Sequence, residues 1–526
     1  MSFYPNGIRD ERVREYLPCT RIVWQENVSG SELLLGNREI QPVLEDTFGE
    51  FVRFGKAGSI LLDFGMELHG GIRIINSSKS GRVRLRFGES VAEAMGEPDQ
   101  DHAMHDEVLT LPRMGLLEYG NTGFRFVRID ALDEGMYIRN AVAVALFRDL
   151  PRRGMFRCSD ELLNRIWDTA AYTLHLNMQE FMFDGIKRDR LVWCGDLYVE
   201  IAAALAVFGN QQTIAETLDF AVHHTPDLAL LGGISSFSFW WMIAVDHYTF
   251  MTGDDSLLRK ERDIVEKLMA IFVSQTGEDG REKAREMRFL DWYSFKDENL
   301  KHAGLQGLLF WALSAAERCG AKLGLDISQV SDARKRVMNH IPDCCGSPAA
   351  AAVQTLSGLA DRRRMLAEFQ LDHTDMFSSY FVLKTQPVPA MLSLLRRQWG
   401  GMLKLGATTF WEEFDMRKAA VSGRIDELPM PGKIDIHSSV GDHCYNGIRR
   451  SLCHGWGAGP AAILPERIFG LQFPEPGQKV LVVSPDPGDL EYAEAVIPLM
   501  DGEVKLFVDK TTCEIDAPAG IQIIRK

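Results

Sequence analysis

From residue 159 to residue 451 the sequence carries roughly a dozen stretches at the helical period, with no strand-like run between them. That order excludes an α/β barrel, in which strands and helices alternate. It leaves a helical bundle, a solenoid or a closed toroid of paired helices. The first stretch is "SDELLNRIWDTAAYTL". Ser159 is a good N-cap, Asp160 and Glu161 put acids in the first turn, and Leu162, Leu163, Ile166, Trp167 and Ala170 follow at helical spacing. Further helices are predicted over 196–208, 210–223, 236–252, 255–274, 303–322, 329–339, 347–359, 361–370, 387–398 and 443–451. No fixed-period repeat is present, which counts against the common solenoids, so a toroid of paired helices is expected.

Strand texture flanks this region. Residues 1–150 contain "SILLDFG" (59–65), "GGIRIIN" (70–76), "RVRLRFGES" (82–90), "FRFVRIDAL" (124–132) and "NAVAVALF" (140–147). Val83, Leu85 and Phe87 alternate with Arg82, Arg84 and Arg86, the pattern of antiparallel strands with one wet face. After "GPAAILPERIFGLQ" the texture returns in "QKVLVVSPD", "DGEVKLFVDK" and "AGIQIIRK". The expected division is a β-sandwich over 1–150, a helical domain over 151–465 and a small β domain over 466–526.

A length of 526 residues is too great for one ordinary core. The formal net charge of −15 repels phosphate backbones and anionic lipid, so neither nucleic acid nor a membrane is an expected partner. No run of 18 apolar residues is present, and the opening "MSFYPNGIRD", with no basic segment before an apolar run, leads to the expectation of no signal peptide. Nine cysteines, irregularly spaced and without a C-x-x-C pair, suit reduced thiols in a cytoplasm. No calcium loop, P-loop, H-E-x-x-H or G-x-S-x-G occurs, so neither a metal nor a cofactor is implied. The oligomeric state stays open, a homodimer included.

The chemistry concentrates in "DGIKRDRLVWCGDL", residues 184–197, between two predicted helices. Asp184, Asp189 and Asp196 can share one cavity there, with Trp193 as a flat face for a sugar ring. The plainer reading is a solvated turn with ion pairs and Asp196 as an N-cap. Tryptophans beside acids recur: Asp291–Trp292, and Trp411–Glu412–Glu413. Trp240 and Trp241 are adjacent, and His454 stands in "SLCHGWGAGP" beside glycines that allow close backbone approach. Paired carboxylates on a helical scaffold suit glycoside hydrolysis, one protonating the leaving oxygen and the other activating water or attacking the sugar.

These segments resemble, in order, those of the bacterial α-L-rhamnosidases, glycosidases with a central (α/α)6 barrel between an N-terminal β-sandwich and a small C-terminal β-sandwich. "SILLDFGMELHGGIRI", "VRLRFGESV" and "EYGNTGFRFVRI" resemble the first sandwich, and "MFRCSDELLNRIWDTAAYTL" the first barrel helix. "DGIKRDRLVWCGD" resembles the family's D-x-x-x-R-E-R-x-x-W-x-G-D loop. "GATTFWEEFD" and "SLCHGWGAGPAAIL" resemble two later segments. The resemblance spans about residues 55–510.

The resemblance implies Asp189 as general acid and Glu412 as general base in an inverting, exo-acting hydrolysis of terminal rhamnose. It implies Asp184 and Asp196 on sugar hydroxyls, with Arg188 positioning them. Asp291, Trp292, Trp240 or Trp241, Trp411 and His454 fall where sugar-binding residues are expected, beside Trp193. Asp189 departs from the family's glutamate and is one methylene shorter. The chain is also short for the family, which suggests small glycosides or oligosaccharides as substrates. Two rivals remain: a helical-barrel glycosidase for another sugar, and an inactive sugar-binding paralogue.

Overall fold

The computed structural model describes residues 9–43, 49–97, 105–369, 375–439 and 447–526. The N-terminal part is a seven-stranded sheet of β1 (Arg12–Pro18), β2 (Arg21–Ser29), β3 (Val52–Asn76), β4 (Gly81–Gly88), β5 (His105–Leu111), β6 (Gly115–Ala131) and β7 (Tyr137–Arg148). Its order is β1-β7-β3-β6-β4-β5, with β2 also on β3. The two runs predicted at 59–65 and 70–76 are one strand, β3. Its pairing with β6 shifts register between Asp63 and Leu68, beside Gly65 at a φ of 86°.

The strand carrying the 82–87 alternation, β4, pairs antiparallel with β5 and β6, and pairing in the sheet is antiparallel throughout except between β3 and β7, which run parallel. Val83, Leu85 and Phe87 are buried as predicted. Their arginine counterparts do not all face water. Arg86 is buried and donates to Asp130 at 2.8 Å, so a carboxylate partner replaces the solvent on that face.

A five-residue helix, α1 (Val91–Met95), follows β4, capped by Ser90. The helical region begins with α2 (Glu161–Asn177) and α3 (Cys194–Val207). Asp160, not Ser159, caps α2: its carboxylate accepts from the Leu162 N–H at 2.9 Å, while Ser159 Oγ accepts from Glu491 N–H. Asp196 is likewise not a cap. Trp193 holds that position and Asp196 lies in the first turn of α3.

Most later helices fall near their predicted spans. The stretch at 255–274 splits at Glu261 into Ser256–Lys260 and Arg262–Ser274, and 361–370 shortens to Arg363–Leu366. Of the predicted helix at 443–451, residues 443–446 lie outside the described residues and Gly447–Arg449 form a 3-10 turn. A helix over Met376–Thr385, not predicted, is buried on every face and so shows no amphipathic stripe.

The last strands are β9 (Val480–Val483), β10 (Tyr492–Leu499), β11 (Gly502–Asp509), β12 (Cys513–Asp516) and β13 (Gln522–Arg525). β8 (Met155–Cys158), from just before α2, pairs with β10, completing a four-stranded sheet β12-β11-β10-β8; β9 and β13 pair in parallel. One apolar core runs through the helices into these strands, and a separate core fills the N-terminal sheet. The eight described cysteines are free, and Cys444 lies outside the described residues. No helix among the described residues is long and apolar enough to cross a membrane.

Candidate active site

The loop after α2 is closed by its own aspartate. The Asp184 carboxylate accepts from the N–H of Leu191 at 2.9 Å and of Asp189 at 3.2 Å. Asp184 N–H donates to Leu191 O, and Asp184 O accepts from Gly455 N–H at 2.7 Å. Gly185 is required here, because a Cβ would stand 2.6 Å from Arg188 O. Segment 409–412 lies beside 451–456: Glu412 N–H donates to Ser451 O, His454 N–H to Phe410 O, and Trp456 Nε1 to Glu412 O. A bridge between Gly185 and His454 adds the loop as a third element.

This arrangement puts Arg188 between two carboxylates. Its Nη2 donates to Glu412 Oε2 at 2.7 Å, and its Nη1 lies 3.6 Å from Asp189 Oδ1. Guanidinium nitrogens sit about 2.3 Å apart, so the nearest oxygens of Asp189 and Glu412 lie within roughly 9 Å of one another. Side-chain exposure falls from 17% at Asp189 and 13% at Arg188 to 5% at Glu412 and 4% at Asp184 and His454. Asp189 therefore stands at the mouth and Glu412 inside.

The electrostatics separate these acids. Burial pushes Asp184 up to about 7, and neighbouring Asp189 adds to the rise. Burial, then Glu200 and Asp184, push Asp196 well above the carboxylate range, and burial with Asp184 does the same to Glu200. Burial works on Glu412 too, but Arg188 and the Ser451 N–H at 2.9 Å outweigh it and hold Glu412 below its ordinary value. Burial drives His454 down to about 4, so the imidazole is neutral near pH 7 and Arg188 is the cation that keeps Glu412 ionised.

Several buried polar atoms here have no hydrogen-bond partner among the described residues: Asp196 Oδ1, His454 Nδ1, both oxygens of Glu200 and Trp411 Nε1. Asp196 Oδ1 and His454 Nδ1 lie 3.7 Å apart. Unsatisfied donors and acceptors gathered beside a carboxylate pair are what a polyhydroxylated ligand would satisfy.

Asp184, Arg188, Asp189, Asp196, Glu412 and His454 are thus brought together. Trp193 is half-buried at the start of α3, edge-on to Phe237. Trp411 is buried against Phe414. Asp291 bonds Ser294 and Ser378, beside Asp375, whose carboxylate accepts from the Trp292 N–H; burial and Asp291 push Asp375 up to about 7. Asp291 also lines a cavity of about 300 Å³ with Tyr293, Ser294 and Ser378. Trp240 stacks on Phe381 in an aromatic cluster. Trp241 is fully buried with its indole N–H on Leu218 O at 2.8 Å, so its ring is committed to an interhelix contact and offers no face to a sugar.

Sequence reasoning missed Glu200, Asp375 and the role of Ser451. Glu200 was detectable. It is the one acid within the apolar run that follows Asp196, four residues on and so on the same face of α3.

Residues 151–312 match the bacterial alpha-L-rhamnosidase 6 hairpin glycosidase domain. No curated protein matches the chain. The GH78 family rhamnosidase of Bacillus sp. GL1 aligns at a TM-score of 0.72 and 20% identity over 94% of this chain and 55% of that one. The rhamnosidase from Klebsiella oxytoca, solved with rhamnose bound, aligns at 0.69 and 17% over 88% and 97%. The Streptomyces avermitilis alpha-L-rhamnosidase, complexed with L-rhamnose, aligns at 0.66 and 16% over 88% and 48%. The chain thus spans about half the length of the Bacillus protein, and at these identities the likeness establishes the fold. The resemblance holds for residues 151–312, which include the loop at 184–196, and the likeness to these structures extends it to a mixed helical and β fold of the rhamnosidase kind.

Proposed function

Taking the rhamnosidase six-hairpin glycosidase domain at residues 151–312 as the premise, we propose that this chain is an inverting, exo-acting α-L-rhamnosidase. In this reading the helices close as an (α/α)6 barrel. The chain divides at about residues 150 and 465, with β8 as a strand that the barrel segment lends to the C-terminal sheet. The observation that carries the reading is Arg188 spanning Asp189 and Glu412 in a nest of buried acids.

Asp189, at the mouth, donates its proton to the glycosidic oxygen as the bond to the anomeric carbon breaks. Glu412, kept ionised by Arg188, takes a proton from the water that attacks that carbon. The bound of roughly 9 Å admits the ~6.5–9.5 Å separation that leaves room for this water. Asp184 and Asp196 meet the sugar hydroxyls, His454 and Trp411 offer ring nitrogens, and Trp193 and Trp292 stand at its edges. Trp240 and Asp291 act from behind, through the Phe377–Trp456 contact and Asp375. The substrates are small glycosides or oligosaccharides ending in rhamnose.

The test is a panel of aryl glycosides with NMR of the released sugar. Release of rhamnose alone supports the reading; release of a different sugar transfers the chemistry to that sugar. The aspartate at position 189, a methylene shorter than the family's glutamate, favours one second reading: a sugar-binding protein without turnover. Calorimetric binding of rhamnose with no hydrolysis of any glycoside would establish it.

A further inference from the structure

The loop that carries Arg188 and Asp189 is gripped from behind by Lys187. Its side chain is 1% exposed. The ammonium lies 2.9 Å from Glu89 Oε2 and 3.2 Å from Glu93 Oε1, and donates to the carbonyls of Ile448 at 2.9 Å and Arg450 at 3.2 Å. His437 Nε2 is 3.5 Å away, and His437 Nδ1 meets Ser90 Oγ at 2.7 Å. Glu89, Glu93 and His437 are close enough together to hold a metal ion, but the cation between them is this ammonium.

Both glutamates belong to the N-terminal β part, at the end of β4 and in α1. Glu89 also reaches the other arm of the site: it accepts from Leu452 N–H at 2.8 Å and from Ser451 Oγ at 3.3 Å. Ser451 N–H in turn donates to Glu412. One carboxylate from the sheet therefore braces the loop bearing Asp189 and the segment that holds Glu412. The same sheet backs the loop elsewhere. Arg190 donates to Asn121 O at 2.8 Å, and a Cβ on Gly123 would stand 2.9 Å from Lys187 N.

A buried ammonium stays where its counter-charges are, because leaving it unpaired is far costlier than keeping it. Arg188 is the next residue, so a shift of Lys187 is a shift of Arg188 against Glu412. We propose that Lys187, Glu89 and Glu93 are positioning residues, through which the N-terminal sheet sets the spacing of Asp189, Arg188 and Glu412. The N-terminal part is then a working half of the site. The inference rests on the proposed hydrolysis for its kinetic consequence, but not for its structural one.

The test uses the full chain with Lys187→Met and, because that variant leaves two buried carboxylates unpaired, the triple variant Lys187→Met, Glu89→Gln, Glu93→Gln. Hydrogen exchange is followed in 184–191 and, as the reference, in α2 and in the long helix Glu298–Leu323, together with kcat and KM on an aryl α-L-rhamnoside. In a folded variant, exchange in 184–191 should quicken roughly tenfold while the helices stay protected. kcat should fall roughly 100-fold with KM changed less, as expected for a small misplacement of reacting groups. Lys187→Arg should recover part of the loss.

Unchanged exchange in 184–191 in a folded variant would overturn the proposal. Failure of both variants to fold would also overturn it, assigning the three residues to stability alone. If the wild type hydrolyses no rhamnoside, the proposed activity fails, and loop exchange by itself decides the positioning role.

Discussion

Arg188 and Glu412, 224 positions apart in sequence, meet at 2.7 Å. In the proposed hydrolysis, this contact is what holds Glu412 ionised so that it can serve as the base. Without the guanidinium, burial would raise the Glu412 carboxyl, with the Ser451 N–H left to oppose it.

Arg188→Met should therefore shift the acid limb of the pH profile of kcat/KM upward. A base whose value is held below the ordinary 4.5 is ionised above that value and loses activity as pH falls through it. Removing Arg188 leaves burial opposed mainly by the Ser451 N–H, so the limb moves toward neutrality, and turnover at pH 5 falls by roughly 100-fold, about the ~3 kcal/mol at stake in a buried ion pair. An unmoved limb would free Glu412 from the role.

The two acids should respond differently to the leaving group. Glu412→Gln should lower kcat by ~10²–10⁴-fold on every substrate, because activation of water is always needed. Asp189→Asn should do so with poor leaving groups but cost far less with a dinitrophenyl rhamnoside, whose phenolate departs without a proton. Circular dichroism checks that both variants are folded. Equal losses across leaving groups would remove Asp189 as the acid.

Glu200 is buried, neither of its oxygens has a hydrogen-bond partner among the described residues, and its value is raised well above 4.5. A carboxyl raised on folding binds its proton more tightly in the native state. Its contribution is fully present below the unfolded value and is lost as pH rises toward the folded one. Glu200→Gln, nearly isosteric with the protonated acid, should match the wild-type thermal midpoint near pH 4.5 and exceed it increasingly at higher pH. A constant difference across pH would contradict this assignment.

Gly455 touches that same carboxyl: a Cβ there would lie 1.8 Å from Glu200 Oε1. Gly455→Ala should destabilise the protein by ~1–3 kcal/mol and displace adjacent His454. Denaturant titration and rhamnose calorimetry should register both effects. Combining it with Glu200→Ala, which removes the clashing carboxyl, should recover part of each.

The sequence exposed what is local and patterned. Amphipathic stripes revealed most of the helices, and charge crowded around Trp193 marked the loop at 184–197. The helix at 376–385 escaped because it is buried all round and shows no periodicity. Glu200 escaped inside an apolar run. Lys187 looked like one more solvated charge because its partners, Glu89 and Glu93, lie 94 or more residues back, just after β4 and in α1. Trp240 and Trp241 were legible as tryptophans, but which helix face each would occupy depended on packing against Leu218 and Phe381.

The most direct measurement is proton NMR of an aryl α-L-rhamnoside during its first turnovers with wild-type protein. The account predicts β-L-rhamnose as the first product, with the α anomer growing in only by mutarotation. First release of the α anomer, or no release while rhamnose binds, would contradict it.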